Sequence, residues 1–191
     1  DNGFDEFSLD NESFETFSDE PGRDEQETLA GSIRGDRRGN VVNFTTLTTA
    51  TYADSLYSFD ADWTDPSDPR TFNGFMEIDR EREIYSQEFR LDSVAQQDAF
   101  GWIDRWTGGL YAKSLQEDSV VDYGDDFGLL DAVSDYESQN LSAFGQLAHD
   151  FSPETRLIFG LRAEYTKVEV ESNAVGTESY THFSGGGTSE E

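Results

Sequence analysis

The chain has 191 residues and carries 13 Lys and Arg against 41 Asp and Glu, a formal charge of -28 with a pI near 4.1. So strong a negative field repels phosphates and argues against nucleic acid as a partner, while the length suffices for one domain or for part of a larger one. With no cysteine there is no disulfide framework, zinc-thiolate site or cysteine nucleophile, and the first residues, DNGFDEFSLD, have neither the basic nor the apolar stretch of a signal peptide.

Aromatic residues make up 14% of the chain, too many for an ordinary acidic disordered segment. Residues 1–22 are read as an acidic loop or edge, poorly ordered over its first twenty positions. Beyond them the dominant period is two, the mark of strands. DEQETLAGSIR ends at a polar turn, GDRRGN, and VVNFTTLTTATYADSLYSFDADW follows, β-branched, aromatic and long for a soluble strand. TDPSDPRTFNG reads as a loop. EIDREREIYSQEFRLDS resumes the alternation, with Tyr85, Gln87, Phe89 and Leu91 against Ser86, Glu88 and Arg90. Past VAQQD comes AFGWIDRWTGGLYAKS, then an acidic excursion, LQEDSVVDYGDDFGLLDAVSDYES. The hairpin SAFGQLAHDFSPETRLIFGLRAEYT and the segment NAVGTESYTHFSGGGTSEE complete the order.

The connections alternate in length. Short turns fall near residues 35–40, 93–98 and 151–155, and long acidic excursions near 64–76, 115–138 and from 172 onward. A soluble sandwich turns roughly every 8–12 residues without this asymmetry. No run of about 18 apolar residues encodes a spanning helix, but a tilted transmembrane strand needs only about 9–11 residues, and the runs from Glu77, Phe100, Gln139 and Arg156 are long enough. Leu157, Phe159, Leu161 and Ala163 are therefore expected to face lipid, with Tyr165 near an interface and Arg162 and Glu164 towards a lumen. Arg162 on the lipid face would cost about 2–4 kcal/mol at the bilayer midplane. The same register puts Leu141, Ala143, Gly145 and Leu147 outside, and Ser142, Phe144 and Gln146 inside, where Phe144 is expected to pack against whatever fills the lumen.

YSQEFRLDS, WTGGLYA and NLSAFGQLAHDFSPETRLIFGLRAEYT, in that order, resemble the barrel of TonB-dependent outer-membrane receptors, and FSLDN, SDEPGRDEQET and YSFDADW resemble one subgroup of them. The resemblance implies an all-β, antiparallel up-and-down transmembrane β-barrel of about 22 strands, with short periplasmic turns and long acidic extracellular loops. Residues 1–191 would be an internal piece of that barrel, about six or seven strands by length, with no plug domain of its own. It further implies uptake of a scarce ligand such as a ferric siderophore across a Gram-negative outer membrane. The partners would be membrane lipid, the plug, the remaining strands and TonB, which engages a region preceding this one.

Other signals are read blandly. Asp60, Asp62, Asp65 and Asp68 could offer oxygen ligands to a hard cation, but they lack EF-hand spacing. A solvated acidic loop is preferred, and DYGDD at 122–126 is read alike. Trp102 and Trp106 are read as interfacial girdle residues, and Trp63 equally as girdle or sugar platform. His149 is expected at an interface and His182 in an exposed loop, neither with a second ligand at metal spacing. Gly185, Gly186 and Gly187 are read as a flexible run. No nucleophile elbow, phosphate-binding glycine loop or His-Glu-x-x-His is present, so no catalytic, cofactor or metal residue is assigned and no enzymatic activity is expected. The competing reading is a secreted β-sandwich that binds calcium through its acidic loops and sugar through Trp63.

Overall fold

A computed structural model describes residues 19–20, 22–62, 73–94, 103–125, 128–176 and 183–190. Long alternating runs become long strands: β1 (Arg23–Arg37), β2 (Val42–Asp60), β3 (Gly74–Ser93), β4 (Arg105–Asp125), β5 (Gly128–Ser152), β6 (Thr155–Gly176) and β7 (Phe183–Glu190). They form one antiparallel sheet in sequence order, each strand hydrogen-bonded to its neighbours in the chain. The fold is all-β and up-and-down, and the described residues include no helix.

Two connections differ from expectation. The stretch 115–138 is not a loop but the far halves of β4 and β5: Leu115 pairs with Ser138, and pairing continues until Asp125 faces Gly128. There the Gly128 N–H donates to Asp125 Oδ1 at 3.0 Å. Acidity masked a strand pattern, since SVVDYG and DAVSDY still alternate and a complete backbone ladder satisfies their amides whatever the side chains carry. From residue 172 the chain also continues as strand, β6 reaching Gly176. Gly185, Gly186 and Gly187 pair with Ser172, Glu171 and Val170, so the expected flexible run is a laddered segment of β7. The run expected from Phe100 is strand from Arg105.

The turns between β1 and β2 and between β5 and β6 are short. In the second, Ser152 pairs with Thr155 after a register shift beyond Asp150. The end of β2 and the start of β3 are held together by one backbone and one carboxylate contact: Ala61 N–H donates to the Gly74 carbonyl at 2.8 Å, and Gly74 N–H to Asp62 Oδ2 at 2.7 Å.

A sheet ordinarily buries its apolar side against a second layer. Among the described residues there is none. Ile103 and Ala148 are the buried apolar residues of this sheet, whereas Leu29, Ile33, Phe159 and Leu161 are each more than 60% exposed.

Candidate functional site

Antiparallel partners share a face, so the register sorts the side chains into two sets. Leu157, Phe159, Leu161, Ala163 and Tyr165 of β6 stand opposite His149, Leu147, Gly145, Ala143 and Leu141 of β5. Those residues continue into Trp106, Gly108, Leu110 and Ala112 of β4 and Leu91, Phe89 and Gln87 of β3. Phe44, Thr46 and Thr48 of β2, and Gly35 and Ile33 of β1, complete the set. The grouping read from the alternation is therefore the grouping in the sheet, and one face carries an apolar band across six strands.

Polar side chains within the band satisfy one another. Thr48 donates to Gln87 Oε1 at 2.6 Å, while Gln87 Nε2 donates to Thr46 Oγ1 at 2.8 Å and to the Glu88 carbonyl at 3.0 Å. Each end of the Gln87 amide is engaged within the sheet, which removes the cost of leaving it unpaired among apolar neighbours.

The second face is polar. Arg80 and Arg82 converge on Glu117, Arg80 at 3.3 Å and the Arg82 Nε at 2.6 Å. Arg162 pairs with Glu164 at 2.7 Å, and Asn140 Nδ2 donates to Glu164 Oε1 at 2.6 Å and to Thr166 Oγ1 at 2.9 Å. The Arg162 guanidinium reaches across β5 to lie 6.0 Å from the centre of the Tyr111 ring, a cation–π distance at its outer limit. Between the strands of that pair Ser142 is 2% exposed, and its hydroxyl has no hydrogen-bond partner. Phe144, expected against the filling of a lumen, lays its ring on Gly109 of the neighbouring strand.

The remaining candidates fall as follows. Trp106 is on the apolar face opposite Leu147, near the short-turn end. Trp63, Trp102, Asp65, Asp68 and His182 lie outside the described residues. His149 Nδ1 is 3.0 Å from Asp104 Oδ2, and its ring stands edge-on to Phe151 at 4.6 Å. Asp104 Oδ2 also accepts the Asp150 N–H at 2.6 Å, so Asp104 and His149 tie down the start of the β5–β6 turn.

Asp60 is completely buried and meets Asp62 and a residue that sequence reasoning did not connect with them, Asp19. One oxygen of each of the three carboxylates falls within 4.8 Å of the others. A hard cation could use that geometry. Asp60, however, accepts the Asp19 N–H and the Asp62 N–H, both at 3.1 Å, and so has a local structural role as an anchor of the β2 end. Asp122 stands opposite Asp131 on the apolar side of the sheet, beyond the band, rather than in a loop.

Compared with known proteins, the sequence matches no family model and no curated protein.

Proposed function

We propose that this chain is a section of the wall of a transmembrane β-barrel of the TonB-dependent receptor type, located in a Gram-negative outer membrane and taking part in uptake of a scarce ligand such as a ferric siderophore. The observation that carries the proposal is the apolar band, which spans six strands of a single sheet and meets no second layer among the described residues. Hydrocarbon is a solvent that such a band fits.

Dimensions support the reading. At about 3.4 Å per residue, Leu157 to Tyr165 runs about 27 Å along the strand. Tilted by about 40° it rises about 21 Å, close to the roughly 25 Å apolar zone of outer-membrane barrels. The ladder satisfies the backbone across the band, as hydrocarbon requires. Beyond the band the β4–β5 hairpin continues to Asp125 and Gly128 with acidic side chains, which fits the outer, aqueous side, and the short turns then fall on the periplasmic side.

In this reading the polar face lines the barrel. Arg80, Arg82 and Arg162 are held in ion pairs with Glu117 and Glu164 rather than projecting singly, so this part of the inner wall offers a fixed pattern of donors and acceptors to the plug that fills such barrels. The chain contributes wall and outer strand extensions. Ligand binding and energy transfer belong to the assembled receptor, with its plug, its other strands and TonB.

Spin labels at Phe159 and Leu161 in the intact protein test the proposal. Relaxation by a lipid-soluble agent, with little effect from a water-soluble one, is the expected result. Protection from both agents, as in a sealed water-soluble core, would overturn it.

A further inference from the structure

The register brings six acidic residues into one unbroken row on the same side of the sheet as the apolar band, just beyond it. Glu27 of β1 faces Asp54 of β2, which faces Glu81 of β3; Asp118 of β4, Asp135 of β5 and Glu171 of β6 follow. Facing residues on neighbouring strands hold their Cβ atoms about 4.5–5.5 Å apart, and like charges so placed are destabilising.

The surroundings deepen the effect. Around Asp118 and Asp135, β3 presents Glu81 directly and Asp79 and Glu83 on the diagonals, and β5 adds Glu137. β6 presents Glu171 directly and Glu169 on the diagonal, and farther out Asp122 faces both Glu77 and Asp131. The cations nearest the row on this face lie at its margins, Arg23 at 3.8 Å from Glu77 and Lys167 bonded to Glu169 at 2.8 Å. Arg80 and Arg82 belong to the same stretch of β3 but point to the other side, towards Glu117. The middle of the row thus has no cation facing it among the described residues.

We propose that Asp118, at the centre of this row, is a proton-sensitive latch: when it takes up a proton it shares a hydrogen bond with the facing Asp135 and tightens the outer ends of β4 and β5, and when it is ionised it loosens them. The proposal follows from the register alone and stands whether or not the apolar band faces lipid. Two carboxyls side by side do not both ionise at their ordinary value, and the pair titrates as a unit. In keeping with this, burial first, then the charge of Asp135, raises Asp118, and burial followed by the charge of Asp131 raises Asp122. An acid raised in the folded state keeps a proton that the opened strand has released. Its stabilising contribution is therefore complete below the ordinary aspartate value and is lost as pH rises through the raised one.

Amide hydrogen exchange on the intact, folded protein, in buffer with chelator and corrected for the intrinsic rate, tests this at about pH 5 and about pH 7. Amides of residues 115–125 and 128–137 are expected to gain protection several-fold at the lower pH, while those of 141–147 on the same hairpin stay level. The Asp118→Asn and Asp135→Asn double variant is expected to show the higher protection at both pH values. No pH-dependent gain in the natural protein, a gain undiminished in the double variant, or protection that comes with added calcium but not with acid would each overturn the proposal.

Discussion

Phe144 of β5 lies across Gly109 of β4, its ring occupying the space where a side chain at 109 would stand. The Phe89 carbonyl closes the other side, 2.7 Å from the position a Cβ would take. An aromatic laid over a glycine on the next strand fills the gap the glycine leaves and pins the register. Gly109→Ala meets a ring that can move and a backbone oxygen that moves only with its strand. The expected cost is about 1–3 kcal/mol, read as a lower urea midpoint of the folded protein, and adding Phe144→Ala should recover only part of it.

The Thr46, Thr48 and Gln87 network gives a second test, and one that depends on the solvent. Removing a single partner from a buried amide costs about 1–3 kcal/mol, whereas replacing both partners by apolar groups is nearly neutral. With hydrocarbon on this face, Thr46→Val is expected to lower stability by about 1 kcal/mol. Gln87→Leu combined with Thr46→Val and Thr48→Val should return close to the natural value. In water the free amide would rehydrate, and the single variant would cost almost nothing. A double-mutant cycle between Thr48 and Gln87 measures the coupling.

Which residues share a face was legible in the sequence, because alternation within one strand fixes it: Leu161 and Arg162 had to diverge, and Leu161 with Gly145 had to agree. What lies opposite what was not legible, because register is set between strands. The row from Glu27 to Glu171 is six acids scattered over 145 positions of an acidic chain until pairing aligns them. The charge of residues 115–138 suggests a loop and hides their alternation, although Val120 and Val133, which face each other, carry the strand signal. Asp19 was invisible for a third reason. Its place beside Asp60 arises from a contact 41 residues apart in sequence, which no local pattern encodes.

Substitution on the two faces of β6 separates the membrane reading from an aqueous one. Leu161 is 71% exposed and central to the band, and Ile158 is 55% exposed on the polar face. With hydrocarbon on the first face, Leu161→Arg costs about 2–4 kcal/mol, while Ile158→Arg stays within about 0.5 kcal/mol, as surface changes usually do. The comparison is made by equilibrium unfolding from detergent or lipid. Equal and small effects from both would mean that water bathes both sides.

The β5–β6 turn should respond to acid with a sign opposite to that of the carboxylate row. Asp150 accepts hydrogen bonds from Arg156 Nε and, at 3.0 Å, from Arg156 Nη2, just before and after the turn residues. The Arg156 hydrogen bond, followed by its charge and that of Arg105, holds the Asp150 carboxyl below the usual aspartate value. A carboxyl depressed in the folded state contributes stability that is fully present above its unfolded value and is lost as pH falls through the folded one. The turn is thus expected to hold through mildly acidic pH and to open only below the ordinary aspartate range. Asp118 and Asp122, at the far end of the hairpin, gain protection over the window just above that range. A global unfolding midpoint would blend the two, so local exchange at residues 149–157 is the measurement required. Asp150→Asn should flatten the acid response of those amides without altering that of residues 115–125 and 128–137. A change at both ends would mean that the hairpin opens as one unit.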